Sequence, residues 1–269
     1  MAKEAFQLSD EAVTAYEEQK VRAMFGPLAR VTLESVSIGK EDTILDLACG
    51  TGIVSRTILQ NVVPNQPIVG VDLNEGMIKK AKELTLAQAA SYDWHVADAE
   101  ALPFDANAFS LIICQQGIQY FPNQQVVLNE LGRVSAEGGR LVISVWGGAS
   151  DFFQAMAASV GQHVDAETGQ KYLAPFRYKN ADSLPDMLAS AGFKEIEVDN
   201  ITVDRTMENI TSSIEKEILG HPAGPKVTEA GEAVIASISS DVIAACSKYQ
   251  RGDDMIVPQR AHLFNAKKL

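Results

Sequence analysis

Ile44-Leu45-Asp46-Leu47-Ala48-Cys49-Gly50-Thr51-Gly52 is the stretch that decides the fold. An apolar run, interrupted by one carboxylate, ends in a turn that carries two glycines. From Ile53 to Val62 the apolar spacing becomes helical, so the turn joins a buried strand to a helix. Pro67–Asp72 reads as a second buried strand, followed by a helix from about Glu75 to Gln88. Tyr92–Ala97 reads as a third strand and Phe109–Cys114 as a fourth. Gln124–Val134 is the next helix and Gly139–Trp146 a fifth strand. Strands alternating with helices indicate βαβ units around a parallel sheet. Continuous apolar runs are what strands covered on both faces show. The fold class is therefore α/β with a doubly wound sheet.

Outside this core the signal is weaker. Residues 1–40 read as helical, with Pro27 expected to interrupt or restart the helix. A helix over Phe152–Val164 precedes a loop containing Pro175, and a helix over Ser183–Ala191 stops at Gly192. Phe193–Val203 is strand-like. Residues 207–250 are helical, broken at Gly220–Pro225, and read as a cap inserted between the last two strands. Asp253–Ala266 supplies a final strand, with Pro258 pushing it toward a sheet edge.

The chain has 269 residues, 46% hydrophobic and 22% charged, enough for a full core without disulfides. Its 23 basic against 35 acidic residues give a net charge of −12. That balance argues against nucleic acid and anionic lipid as partners. Cys49, Cys114 and Cys246 lie far apart with no CxxC spacing, so neither a zinc site nor a redox dithiol is expected. Met1–Phe6 lacks the apolar stretch of a signal peptide, and no run of 18 apolar residues occurs. A cytoplasmic protein, monomeric or homodimeric, without membrane insertion or metal, is the expectation.

The glycine turn sits where doubly wound sheets bind ligands, at the carboxyl end of a strand. Glycines there let the backbone approach a ligand closely. Asp72 follows Gly52 by 20 residues at the end of the second strand, placed to accept from both hydroxyls of a ribose. Gly50-Thr51-Gly52-Ile53-Val54-Ser55 is nearly a dinucleotide fingerprint. On these facts alone nicotinamide dinucleotide and S-adenosylmethionine fit equally.

The neighbouring residues separate the two. Ile44–Gly52 closely resembles motif I of the class I S-adenosylmethionine-dependent methyltransferases, which carry an acidic residue before the glycine loop. Val69-Gly70-Val71-Asp72-Leu73-Asn74-Glu75-Gly76-Met77 resembles the family's ribose strand and turn. Ala97-Asp98-Ala99-Glu100-Ala101-Leu102-Pro103-Phe104 resembles its adenine-side loop. Glu130–Leu141 resembles its helix and Gly-Gly entry to the fifth strand. The four motifs span roughly residues 40–147, and the core is similar to that of ubiquinone/menaquinone methyltransferases. The Tyr-x-x-x-Lys pair of a short-chain dehydrogenase occurs only as Tyr16 and Lys20, ahead of the turn.

The resemblance implies a Rossmann-like sheet of seven strands, the last antiparallel, with N-terminal helices and a helical cap. One methyltransferase domain over 1–269 is expected: a lid (1–40), a cofactor-binding core (41–147), the rest of the core (148–206 and 251–269) and a cap (207–250). Asp46 would orient the methionine amino group, and the backbone at Ala48, Gly50 and Gly52 would cradle methionine and ribose. Ala48 stands where the general pattern has a first glycine. Asp72 would take the ribose hydroxyls, while Leu73 and Met77 pack against adenine. Asp98 would accept from the adenine amino group, the Ala99 N–H would reach a ring nitrogen, and the backbone near Cys114 and Gln115 would meet the methionine amino group. In the lid, Tyr16, Phe25 and Arg30 are candidates for contact with cofactor or substrate. As plain structure, Asp46 and Asp72 would cap helix N-termini and Asp98 a turn.

Methyl transfer from a sulfonium is a direct displacement, so the protein chiefly aligns the acceptor and excludes water. The acceptor-facing element is Gln115-Gln116-Gly117-Ile118-Gln119-Tyr120-Phe121-Pro122, with Gln116, Gln119 and Tyr120 as substrate-binding candidates. It lacks the Asn-Pro-Pro-Tyr-like sequence of amino-methyltransferases of nucleic acid and peptides. It also lacks the arginine seen at this turn in many quinone C-methyltransferases. Tyr120 and His221 are the candidates for catalytic proton transfer. Tyr172 and Tyr178 could donate to a substrate carbonyl, and His95 and His163 read as structural. The expected function is methylation of a small organic acceptor at O, N or C, releasing S-adenosylhomocysteine. A nicotinamide oxidoreductase and a non-catalytic cofactor-binding regulatory module are the alternatives.

Overall fold

Aliphatic runs with no alternation form β1 (Ile44–Leu47), β2 (Ile68–Asp72), β4 (Phe109–Gln115) and the second half of β5 (Ser135–Trp146), while β3 (Tyr92–Val96), at the edge of the sheet, alternates buried and exposed residues. In the computed structural model, which describes residues 9–269, these five pair in parallel, β1 lying between β2 and β4. Ile44, Leu45, Leu47, Ile68, Leu111, Ile112 and Ile113 are all buried, as strands covered on both faces require. With β6 (Phe193–Met207), β7 (Gln250–Arg251) and β8 (Asp254–Lys268) the order is β3-β2-β1-β4-β5-β8-β6, and β7 pairs antiparallel with β8. The sheet is therefore mixed, as expected.

The helices between the strands are α3 (Ile53–Asn61), α4 (Glu75–Leu84) and α5 (Gln124–Val134). Pro258 does not put the last strand at an edge, because β8 lies between β5 and β6. The reason is length: β5 ends at Trp146, and the Gly147 N–H bonds to the Arg260 carbonyl, so the missing donor of Pro258 falls beyond the end of β5.

At Pro27 the expected restart takes the form of a change of helix type without a break. From α1 (Asp10–Ala15) the chain passes through a π-helical stretch, Tyr16–Phe25, straight into α2 (Gly26–Glu34). Pro27 crowds the carbonyl four residues back and offers no N–H. Instead of breaking, the helix widens upstream, and the Gly26 N–H reaches back five residues to the Val21 carbonyl. The expectation of helix over residues 1–8, and the reading of Met1–Phe6, lie outside the described residues.

The chain divides into two compact units. The first comprises the chain up to Val145 with Lys179–Ile201, including α8 (Leu184–Ser190), and His262–Leu269. The second comprises Trp146–Tyr178 and Thr202–Ala261. It holds α6 (Asp151–His163), α7 (Ala166–Lys171), α9 (Ile210–Leu219), α10 (Gly224–Glu229) and α11 (Glu232–Ala245). The 207–250 segment read as a cap thus belongs to the same unit as α6 and α7. Inside this unit Arg205 and Glu217 form a buried ion pair at 2.7 Å, with the guanidinium over the Phe152 and Phe153 rings. Among the described residues no helix is long and apolar enough to cross a membrane.

One side chain in the first unit ties strand packing to the glycine turn. Trp94 pairs in register with Gly70, and a Cβ at Gly70 would stand 2.1 Å from its ring. A Cβ at Gly52 would stand 2.4 Å from the same ring. Its Nε1 donates to Thr85 Oγ1 at 3.1 Å. Thr85 also donates to the Ala81 carbonyl and leaves the helical conformation, so α4 ends at Leu84 rather than continuing to Gln88. Gly70→Ala forces the indole aside and should destabilise the protein by about 1–3 kcal/mol, read from urea unfolding. In a Trp94→Leu background the same change should cost less than half as much; equal costs would mean that the ring is not the obstacle.

Candidate functional site

Three strand ends converge on the glycine turn. Ala48, Gly50 and Gly52 have φ of +55°, +55° and +81°, so the backbone enters the left-handed region three times in five residues. Two of the three are glycine; Ala48 holds the strained conformation with a Cβ. The turn is strapped to β2 by the Cys49 N–H, which donates to the Val71 carbonyl at 3.0 Å. It also packs on the tip of β4, where a Cβ at Gly117 would come within 2.6 Å of the Ala48 Cβ.

Asp72 organises the turn from the end of β2. Its Oδ2 accepts from the Gly50 N–H at 2.8 Å and its Oδ1 from the Asn74 N–H at 2.9 Å. Asn74 then caps α4 by accepting the Met77 N–H at 3.1 Å, which fixes the start of the helix carrying Met77. Met77 itself is buried, and Leu73 is half-buried. The Asp72 carbonyl accepts from the Ala97 N–H, holding the following loop alongside. In that loop Asp98 Oδ1 accepts the Glu100 N–H, and Ala99 is buried.

Asp46, at the end of β1, is 1% exposed. Its Oδ2 accepts from both the Ser55 N–H, at 3.1 Å, and the Ser55 hydroxyl, at 2.7 Å, so it caps the first turn of α3. Its Oδ1 accepts no hydrogen bond among the described residues. Burial pushes its carboxyl up to about 7; the Ser55 bonds oppose the rise, and the Asp72 charge adds to it. Burial also raises Asp72, against the amides of Asn74, Gly50 and Leu73.

The N-terminal helix closes on this turn. Tyr16 stacks on Phe25 with centroids 5.3 Å apart, and its hydroxyl would lie 3.5 Å from a Cβ at Gly50. Burial, and next the Asp72 charge, hold the Tyr16 hydroxyl far above its ordinary value. Glu17, which sequence reasoning missed, accepts from Thr51 Oγ1 at 2.5 Å and from Arg56 Nη2 at 2.8 Å. Its only sequence signal is adjacency to Tyr16. Gln115 uses its side chain to hold the helix, donating to the Phe25 carbonyl and accepting from Thr32 Oγ1. Arg30 is exposed.

Beyond Gln115, Gln116 is buried, Gln119 is half-buried and Tyr120 is 46% exposed. The tip of β4 thus brings Gln116, Gln119 and Tyr120 onto one short element beside Ala48. The histidines have partners of their own. His95 Nε2 is 2.9 Å from Asp93 on the same strand. His163 and His221 belong to the second unit. His163 pairs with Asp241 there, and the His221 ring stacks on Tyr172 while its Nδ1 accepts from the Ala223 N–H. Among the described residues no group of three His, Cys, Asp or Glu could hold a metal ion.

These groups can be tested against the two ligands that the turn admits. A pyrophosphate needs unoccupied backbone N–H groups and no carboxylate nearby. Here the Gly50 N–H is spent on Asp72, two buried carboxyl groups, Asp46 and Asp72, flank the turn, and the Arg56 guanidinium is engaged by Glu17. Such a cradle suits a ligand with hydroxyls for Asp72 and a positive charge for Asp46. It fits the amino-acid and ribose parts of S-adenosylmethionine.

Comparison with known proteins agrees. The family model described as a methyltransferase domain matches residues 44–139. The ubiquinone/menaquinone biosynthesis C-methyltransferase UbiE of Pseudoalteromonas translucida (strain TAC 125) is 30% identical over 188 residues, covering 64% of this chain and 74% of that one. Among solved structures, Haemonchus contortus phosphoethanolamine N-methyltransferase 2, in complex with phosphomonomethylethanolamine and S-adenosylhomocysteine, aligns with a TM-score of 0.60. It is 19% identical, and the alignment covers 97% of this chain and 57% of that one. The YcgJ protein of Bacillus subtilis aligns with a TM-score of 0.58 at 16% identity, covering 89% and 97%. At these identities the two structures show the fold alone.

The raised Asp46 carboxyl has a consequence for stability. With a folded value of about 7 against 3.8 unfolded, the native state holds the extra proton between those limits. The contribution of Asp46 therefore falls as pH rises from about 4 to 7 and is flat above. Asp46→Asn, neutral throughout, should gain stability relative to the parent between pH 5 and pH 8, by about 2–4 kcal/mol. Chemical denaturation at both pH values reads this difference, and a gap that does not change with pH would show that Asp46 is ionised throughout.

Proposed function

The chain belongs to the class I S-adenosylmethionine-dependent methyltransferases, and from that premise we propose that it methylates a small organic acceptor at O, N or C. S-Adenosylhomocysteine is the second product. The observation that carries the reading is Asp72, which grips the glycine turn by the Gly50 N–H and the next loop by the Asn74 N–H. The carboxylate, which also accepts from the Leu73 amide, stands at the end of β2, where it suits the hydroxyls of a ribose.

The remaining roles follow the elements. Asp46 Oδ1 takes the amino group of the methionine moiety, with the backbone at Ala48, Gly50 and Gly52 and the tip of β4 near Gln115 enclosing that end. Leu73 and Met77 flank adenine, and the Asp98 carboxylate and Ala99 N–H read its edge. Tyr16 covers the turn from the N-terminal helix, held down by the bonds of Glu17 to Thr51 and Arg56.

Bound S-adenosylmethionine supplies an electrophilic sulfonium methyl, transferred by in-line displacement. The protein's part is alignment and exclusion of water, a contribution of up to roughly 7–11 kcal/mol. Tyr16, held protonated, acts as a hydrogen-bond donor and not as a base. Asp46 is ionised when a positive amino group arrives, which couples cofactor binding to proton release. Gln116, Gln119 and Tyr120 face the acceptor; none is a base at neutral pH, which suits an acceptor that reacts without a strong base. The relatives' names span a C-methyltransferase and a phosphoethanolamine N-methyltransferase, and the element from Gln115 to Pro122 here carries no charged residue, which supports an uncharged acceptor.

Titration calorimetry with S-adenosylhomocysteine tests the cofactor roles. Asp72→Ala should weaken binding by about 100-fold, the equivalent of two charge-assisted hydrogen bonds. The parent's affinity should rise between pH 6 and pH 8 as Asp46 loses its proton, and that rise should vanish in Asp46→Asn. Binding of NAD in place of S-adenosylhomocysteine would sink the reading.

A further inference from the structure

Gln116 stands in the left-handed region at φ +56°, a conformation that residues with a Cβ avoid. Its N–H donates to the Ser144 carbonyl at 2.9 Å, which pins the strained backbone, and the following residue, Gly117, packs on Ala48 of the cofactor turn. Backbone strain of this kind is a reason to ask what the side chain is aimed at. The side chain is 7% exposed, and its Oε1 accepts from Gln119 Nε2 at 2.9 Å. That bond uses one end of each amide, and the Gln119 side chain also hydrogen-bonds to the Tyr120 hydroxyl. Gln116 Nε2 and Gln119 Oε1 are buried with no partner, and Ser144 Oγ, on the adjacent strand, is in the same condition. Three of the eight such atoms among the described residues therefore gather at this corner.

Buried donors and acceptors without partners are rare and costly, so a cluster of them at the methyl-transfer end of the site calls for a ligand. The pattern does not depend on how the amides are oriented. Turning one alone would set oxygen against oxygen or nitrogen against nitrogen; turning both leaves again one N–H donor beside one C=O acceptor. The element from Gln115 to Pro122 carries no charge, and the nearby Asp46 and Asp72 would repel an anion. Resting on the methyltransferase reading, we propose that the Gln116–Gln119 pair selects an acceptor whose bound edge is neutral and presents a hydrogen-bond acceptor next to a donor. A cis-amide, as in a lactam, and a neutral vicinal hydroxy-carbonyl share that edge. Gln116 and Gln119 are specificity-determining residues that orient the acceptor molecule and take no part in the chemistry.

The test uses the full chain saturated with S-adenosylhomocysteine, its binding verified by calorimetry on the same sample. The probes are 2-pyridone, which has the donor–acceptor edge, and 1-methyl-2-pyridone, which keeps the carbonyl and loses the donor. Ligand-observed NMR should show 2-pyridone bound at least about fivefold more tightly, the worth of one hydrogen bond. Gln119→Leu should reduce that ratio to about one. Gln119→Glu makes Gln116 turn its N–H to the carboxylate and leaves two acceptors, so it should lose 2-pyridone and gain benzamidine, a double donor; this gain cannot come from misfolding. Equal binding of the two pyridones, no detectable binding of 2-pyridone, or a preference that survives Gln119→Leu overturns the proposal while the cofactor reading stands. A sample that fails to bind S-adenosylhomocysteine overturns the cofactor reading, and this one with it.

Discussion

The bond from the Gly50 N–H to the Asp72 carboxylate is the constraint on which the site depends. It joins the turn after β1 to the end of β2, and through Asn74 it fixes where α4 begins. A carboxylate in this position has to be partly buried, and burial raises its energy unless amides or a cation compensate. The Gly50 and Asn74 amides compensate for Asp72, while Ser55 compensates for Asp46. On the proposed reading, a positively charged, hydroxyl-bearing cofactor supplies what the protein leaves uncompensated. Without its ligand the protein is thus held below the stability its core would permit, the usual trade between binding and folding.

The βαβ core was legible because each signal was local. Ile44–Leu47, Ile68–Asp72 and Phe109–Gln115 announce themselves by aliphatic runs, and the Gln124–Val134 helix by its period and the two glycines that follow it. The positions of Asp46, Asp72 and Gly50 at strand ends came from the same text. Features set by tertiary contact were not legible. Pro27 breaks a helix by local rules, yet here the helix widens into a π-helical stretch and continues. Pro258 marks an edge by the same rules, but it lies past the end of β5 on an interior strand. Thr85 ends α4 because an indole nine residues later needs its hydroxyl. Glu17 earns its place through Thr51 and Arg56, 34 and 39 residues away, and no short window reveals that.

The glycines illustrate the same division. Gly50 and Gly52 look like concessions to a ligand when read in sequence. Gly50 does face the site, under Tyr16. Gly52, like Gly70, also makes room for Trp94, so part of the motif is a packing requirement of β3. A motif glycine can therefore be required by packing as well as by a ligand.

Trp94 has a further use that follows from where it packs. The chain contains two tryptophans, Trp94 in the first unit and Trp146 at the start of the second, where Trp146 lies 6.0 Å from Phe176. Each unit thus carries its own intrinsic fluorophore. The indole of Trp94 touches the α-carbon side of Gly52 and donates to Thr85, so its emission wavelength reports directly on the packing and polarity beneath the glycine turn. With Trp146 replaced by phenylalanine, the protein becomes a single-tryptophan optical sensor of its own cofactor loop, needing no attached label.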